Sequence, residues 1–585
     1  MRRPRLFALT TLLAAIYPFA LAQAEDASSK TAAGGTVDLI REYEADHRDV
    51  TAAFALPGSS AGLERKGRLQ REWLGRLRAL PPDKVDLNYV LLQNEVERSL
   101  DEVGRDQQDL SPIEKLLGFR GTILALEEAR RQARPIDPQA AAGELDQLAR
   151  KVKELREGVE KAHKAKSEGK GNGPLAVAHD EALRAAELVK RLQATLETWF
   201  KFYNGSLPAF DWWVTKPYDE ARKQLDDYVK LLREEMAGQK GKPDDPLLGR
   251  PIGKEALAAA IRFEFLPYSA EELIAIGQHE LAWCEREMQR ASREMGLGDD
   301  WKSALAKVKA DYVPPGRQDQ LVAEIAQAAT EFVEEHKLVV VPPLCRQTWR
   351  LSMMSPEQMK EIPYAAYNGR EMWVAYAKES MSQDEKLMVM RGNNRHFMRT
   401  VTPHEVIPGH HLQHFYNARY GTDRQLFSTP FATEGWALYW ELRLWDLGWV
   451  KQPEDRIGML FWRMTRAARI IVSLNYHLGR MTPDEMVEFL VNRVGHEKFG
   501  ATSEVRRFLQ APPLYQAAYL LGGRQLYTLQ KELVGSGRMT EEQFHDAVLK
   551  ESPIPVELIR ADLLGLPMSR EMKPSWRFAG DPLAR

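Results

Sequence analysis

Only two cysteines, Cys284 and Cys345, occur in 585 residues. That scarcity excludes a disulfide-built scaffold, and neither residue has a second thiol at metal-ligand spacing. An exported chain can join the two as a disulfide, and two isolated buried thiols fit the sequence equally well. Charge of one sign is also lacking. Lys plus Arg is 81 and Asp plus Glu is 83, a net charge of -2. No basic surplus points to nucleic acid, and no acidic tail points to a solvating role. No repeat of solenoid period is present. Beyond the N-terminus no apolar run reaches spanning length. What remains, 44% apolar and 28% charged residues, describes a soluble globular protein long enough for two or more core-forming units.

The N-terminus has the features of an export signal. Arg2, Arg3 and Arg5 precede an apolar stretch from Leu6 to about Ala22, and Ala22 to Ala24 read "AQA", the small-x-small form of a signal-peptidase site. The run contains Pro18 and sits at the lower edge of spanning length, which favours cleavage after Ala24 over a retained anchor. No cysteine follows it for lipid attachment. The mature protein is expected to be periplasmic or secreted, without a stable membrane anchor.

From Glu25 to about Arg250 the pattern is helical. "LDQLARKVKELREGVEKAHKAKSEG", Leu145 to Gly169, repeats apolar residues at intervals of three and four, and "GKGNGP" ends it. A further helical pattern runs to about Tyr203. The stretch from Gly238 to Pro251 is rich in Gly, Pro and charge and reads as a linker. The expected organisation is a signal peptide over 1–24, an N-terminal helical lobe over 25–250 and a second lobe over 251–585. Capping boxes at Ser269/Glu272, Thr482/Glu485 and Thr540/Gln543 open further helices. Between Leu338 and Met390, "LVVVPPL", "EMWVAYA" and "KLMVMR" predict a small sheet. After Pro403 the chain reads as helical almost to its end.

The chemistry concentrates in "TVTPHEVIPGHHLQH", Thr400 to His414, which holds four of the 13 histidines. Its plainest reading is a helix start, with Thr402 as N-cap, Pro403 at N1 and Glu405 as the capping-box acid. Density argues for more. Hydrolytic zinc commonly takes two His and one carboxylate, and a Glu beside the first His can serve as general base on a water. A downstream acid stands in "FATEGWALYWELRLW", where Glu434 opens an amphipathic aromatic helix. The obstacle is spacing. On a straight helix residues four apart are separated by roughly 6 Å along the axis, but His404 lies roughly 9 Å from His410 and roughly 10.5 Å from His411. Pro408 and Gly409 remove that obstacle: "VIPG" can kink the chain and return the next imidazole to the first.

"HEVIPGHHLQ", followed by "EGWALYWE" and later "QAAYLLG", closely resembles a bacterial family known as domain of unknown function 885. The resemblance covers most of the mature chain. That family looks like a variant of the zinc-dependent, mainly helical peptidases, among them the angiotensin-converting-enzyme-like and thimet-oligopeptidase-like enzymes. It implies a large, mainly α, two-lobed zincin-like fold with a central cleft and a small β-sheet beside the metal-site helix. Aligning the "GH" of the shorter motif with Gly409-His410 leaves a two-residue insertion. His404, His410 and Glu434 then become zinc ligands and Glu405 the general base. His411 competes for the second ligand position, and His414 pairs with His410 at an interval of four. In the C-terminal "APPLYQAAYLLGGRQLY", Tyr519 matches the tyrosine that faces the developing oxyanion, with Tyr515 as alternative. Arg524 is a candidate for holding a substrate carboxylate. The implied activity is hydrolysis of short peptides by an exported zinc enzyme; hydrolysis of another amide or ester, or a metal-binding scaffold without turnover, uses the same residues. The resemblance also implies a loop of the form "LDGSRPG" before the last strand of the sheet, where this chain reads "AAYNGREMWVAYAKESMSQDEKL".

Overall fold

The computed structural model describes residues 35–583, apart from 170–172, 243–244, 356–357, 360–361 and 363. The expected signal peptide, residues 1–24, lies outside the described residues. The chain is mainly helical, with one small sheet of three strands. Among the described residues no helix is long and apolar enough to cross a membrane.

Local sequence signals place many of the helices. The three capping boxes open Ala270–Glu294, Pro483–Phe489 and Glu541–Lys550, each with both reciprocal hydrogen bonds formed. The charged amphipathic stretch forms Pro138–Ser167, capped by Asp137, and the next helix spans His179–Tyr203. Buried apolar side chains form two large clusters. One is drawn from residues 113–237, and the other combines residues 40–96 with 257–578. Cys284 and Cys345 are buried free thiols.

The sheet differs from the expected one. Its strands are β1 (Leu351–Met353), β2 (Ala365–Tyr367) and β3 (Met372–Val374), in the order β1-β3-β2. Strand β3 is central, with β1 parallel and β2 antiparallel to it, so β1 and β2 are both edges. Only "EMWVAYA" supplies a strand. "LVVVPPL" runs irregularly into a helix from Pro343, whose fixed φ suits a helix's first turn. "KLMVMR" is helical because Ser382 and Glu385 form a capping box that starts Gln383–Gly392.

The reading of Thr402-Pro403 as a helix start is also corrected. The helix is Arg395–Glu405; Asn394 caps it by accepting from the His396 and Phe397 amides at 3.0 and 2.9 Å. Pro403 sits inside its last turn. A proline there leaves the carbonyl four residues back without its amide partner. That carbonyl, Arg399 O, accepts instead from Trp449 Nε1 at 2.9 Å. "TPHE" is therefore the end of a helix, and Glu405 is no capping acid.

Candidate metal centre and active site

A tight bulge follows Glu405. Val406 N bonds to Thr402 O and Gly409 N to Pro403 O, both at 2.9 Å, and the Ile407–Pro408 peptide is cis. At Gly409 an added Cβ would stand 1.8 Å from His404 O. Only glycine lets the two backbone segments meet this closely. A second short helix, His410–Asn417, then begins at His410. Trp436 Nε1 donates to Pro408 O at 2.9 Å and Gln413 Nε2 to Ala432 O at 3.0 Å, tying the turn to the helix Pro430–Asp446. That helix begins a turn before Glu434, and it is buried on every side rather than amphipathic.

The outcome is convergence. The His404 and His410 rings lie 4.9 Å apart and nearly perpendicular. Glu434 Oε2 is 3.2 Å from His410 Nε2 and 3.8 Å from His404 Nε2. One ligand atom each from His404, Glu405 and His410 also lies within 4.8 Å of the others. Two carboxylates thus adjoin the imidazole pair, and their surroundings differ. Tyr515 donates to Glu434 Oε1 at 2.5 Å, whereas among the described residues no hydrogen bond or ion pair fixes Glu405. All four groups are at most 8% exposed.

The donor set fits a metal cation. Glu434 Oε2 faces the Nε2 atoms of both imidazoles, and His410 Nδ1 is buried without a hydrogen-bond partner, a costly state for a buried polar atom. Two imidazoles and a carboxylate are a common zinc set. His404 is further oriented by Glu441, whose Oε1 lies 2.7 Å from His404 Nδ1, the carboxylate–histidine arrangement that supports metal ligands. Glu441 in turn faces Arg466 at 3.4 Å. Burial opposes charge on His404, but hydrogen bonds to Glu434 and Glu441 outweigh it and hold its pKa up at about 9. For Glu434, burial acts upward and is overcome by the charge of His410 and by hydrogen bonds from both histidines, leaving it well below the usual carboxylate range.

The neighbouring histidines serve otherwise. His411 has both ring nitrogens engaged, Nδ1 with Tyr367 Oη at 2.9 Å and Nε2 with Cys345 O at 3.0 Å. Burial lowers its pKa. His414 is lowered to about 4 by burial and then by the neighbouring His410 and His411.

Tyrosines enter from the helix Tyr515–Leu533, which packs on Pro430–Asp446 through glycines. A Cβ at Gly522 would stand 2.0 Å from Phe431 O, and one at Gly435 would stand 2.7 Å from Gly522 C. This backbone contact sets Tyr515 and Tyr519 over Glu434. The Tyr519 ring lies 6.2 Å from the His404 ring and nearly parallel to it. Burial and then Glu434 raise the Tyr519 pKa to about 12, against the pull of three arginines, so the hydroxyl keeps its proton at neutral pH. Tyr515 is raised as well, first by Tyr519 and then by burial.

These groups line one cavity of about 470 Å³, together with β2 and a set of arginines. Arg466 and Arg469 belong to the helix Pro453–His477, and Arg507 to Lys498–Gln510. Glu504 binds Arg469 at 2.7 Å and Arg507 at 2.8 Å. Sequence reasoning missed Glu441 and these arginines. Glu441 could have been found, since it stands seven residues, about two helical turns, after Glu434 and so on the same face. Arg524 is not in this cavity: it lies 3.8 Å from Glu280 and lines a separate one.

Comparison with known proteins adds a family and a fold. A model described as "Bacterial protein of unknown function (DUF885)" matches residues 55–563. No curated protein sequence matches. Among solved structures, a candidate lipoprotein of unknown function from Shewanella oneidensis is similar at 16% identity and a TM-score of 0.66, covering 91% of this chain and 100% of that one. A candidate lipoprotein from Colwellia psychrerythraea is similar at 15% identity and a TM-score of 0.57, covering 91% and 99%.

Proposed function

We propose that this chain, which belongs to the DUF885 family of bacterial proteins, is an exported zinc-dependent peptidase acting on short peptides. The observation that carries the reading is the convergence of two imidazoles and a carboxylate, with a second carboxylate and two tyrosines beside them, in one buried cavity. His404, His410 and Glu434 would hold the cation. Glu434 takes the third place because it lies closer to both imidazoles and is pinned by Tyr515; Glu405, unpinned, is left for proton transfer. The cation, when bound, supplies Lewis-acid polarisation of a carbonyl and acidifies water.

The chain's own groups do the rest. Glu405 takes a proton from the attacking water and returns it to the leaving amine. Tyr519 donates a hydrogen bond to the developing oxyanion, while Tyr515, one turn away, holds Glu434. Glu441 fixes the tautomer and orientation of His404. The wider architecture is read in the same terms, as a two-lobed zincin-like fold with the site in its central cleft. Export agrees with the basic and apolar N-terminal pattern and with the lipoprotein description of both structural relatives.

The test is Glu405→Gln, assayed with a short-peptide library beside wild type, with metal content and melting temperature recorded. The variant should keep its metal and stability and lose on the order of 10²–10⁴-fold in turnover. Undiminished turnover would remove Glu405 as the base. Stoichiometric metal with no turnover in wild type would favour a binding scaffold.

A further inference from the structure

Three arginines in the cavity wall carry more N–H donors than their ion-pair partners accept. Arg466, Arg469 and Arg507 line its wall. Their carboxylate partners among the described residues are two, Glu441 and Glu504. Arg466 and Arg469 are 6% and 2% exposed, so their charges are not screened by bulk water. Arg466 Nε, Arg469 Nη1 and Arg507 Nε are buried without an acceptor. A guanidinium is always charged and presents its five N–H donors in a fork that matches a carboxylate. In ion pairs the three groups share two carboxylates, Glu405 and Glu434 being assigned to the metal centre, and their unpartnered donors call for a further acceptor.

Position limits what that anion is. The Arg466 and Arg469 guanidinium carbons lie 4.9 and 4.7 Å from the Tyr519 ring, and that ring is the one beside His404. The arginines therefore stand one aromatic ring beyond the imidazole pair. At ~3.3 Å per residue of extended chain, about three residues span that distance.

We propose that Arg466, Arg469 and Arg507 bind a substrate carboxylate lying within about three residues of the bond at the metal centre, supplied by a peptide's free C-terminus or by an acidic side chain. This rests on the peptidase reading and narrows it: the substrates are anionic peptides, and a free C-terminus makes the enzyme one that releases short C-terminal fragments. A charge-assisted contact of this kind discriminates about ten- to hundredfold against a neutral analogue.

The experiment measures binding of short peptides to zinc-loaded Glu405→Gln protein by calorimetry. Three peptides share one neutral sequence: the free acid, the C-terminal amide, and the amide with one residue replaced by Glu. The free acid should bind at least tenfold more tightly than the plain amide. The Glu-containing amide binding as well as the free acid would assign the carboxylate to a side chain; binding as weakly as the plain amide would assign it to the C-terminus. Arg507→Gln in the same background should weaken carboxylate-bearing peptides and leave the plain amide unchanged, a selectivity that general loss of structure would not produce. Equal binding of all three peptides, absence of binding by any, or discrimination that survives Arg507→Gln would overturn the proposal. Wild-type turnover without carboxylate discrimination would remove the site and leave the peptidase. Discrimination without turnover would do the reverse.

Discussion

Gly522→Ala tests whether the contact between two helices sets the site. On an unobstructed helix such a change stabilises by about 1 kcal/mol, through lower chain entropy and better helix propensity. Gly75, exposed in the helix Ser60–Ala79 with nothing within 4 Å of its Cβ position, is the control and should show that gain. At Gly522 the added carbon would meet Phe431 O at 2.0 Å, Phe431 C at 2.8 Å and Gly435 Cα at 2.9 Å. Close carbon–oxygen contacts begin near ~3.3 Å, so the two backbones must part by about 1 Å. No flexible side chain can give way. Overpacking costs ~1–3 kcal/mol, and the upper end applies when both sides are backbone. The sum is a net loss of about 1–2 kcal/mol where the control gains. The same parting stretches the 2.5 Å contact from Tyr515 to Glu434 beyond hydrogen-bond range. Misplacement of this size costs on the order of 10²-fold in turnover. Thermal melting and peptide hydrolysis are measured on both variants. A Gly522→Ala protein as stable as Gly75→Ala, with turnover intact, would refute the reasoning.

Three further outcomes follow from the geometry. Glu441→Gln keeps the shape of the carboxylate but not its charge, and should weaken zinc binding about 10–100-fold in a chelator competition. His410→Ala should lose metal, whereas His411→Ala should keep it and lose stability, since His411 holds Tyr367 and Cys345 O; metal content and melting temperature separate the two. Burial acts to raise the pKa of Glu504, but Arg469 and Arg507 overcome it and hold the group at about 2, below its ordinary 4.5. A depressed folded pKa contributes stability above pH 4.5 that is lost as pH falls toward 2, so acid melting curves of wild type should decline across that window. A variant with Glu504→Gln should be less stable at neutral pH and lack that part of the decline.

Short-range signals were legible, and long-range ones were not. Capping boxes name their own partners within three residues, so all three predicted starts are realised. The small sheet was placed in the right segment with one of its three expected runs correct; "KLMVMR" misled because it carries β-forming residues while Ser382, four residues upstream, starts a helix. Pro403 was misread for a different reason. A proline near a helix start costs nothing, and only tertiary structure reveals that Trp449, 46 residues on, replaces the bond it forfeits. Within the site, His404, His410, Glu405, Glu434 and Tyr519 all meet in the cavity that their motifs suggested. The arginine wall was invisible, since no local motif marks Arg466 and Arg469, and their partner Glu504 stands on another helix.

The most direct test of the metal site is zinc content per chain in purified mature protein, wild type against His404→Ala, His410→Ala and Glu434→Ala. Wild type should hold about one zinc, and each variant should lose it while keeping its helical circular-dichroism spectrum. Full zinc retention by all three folded variants, or a wild type that binds none when supplied with it, would contradict the account.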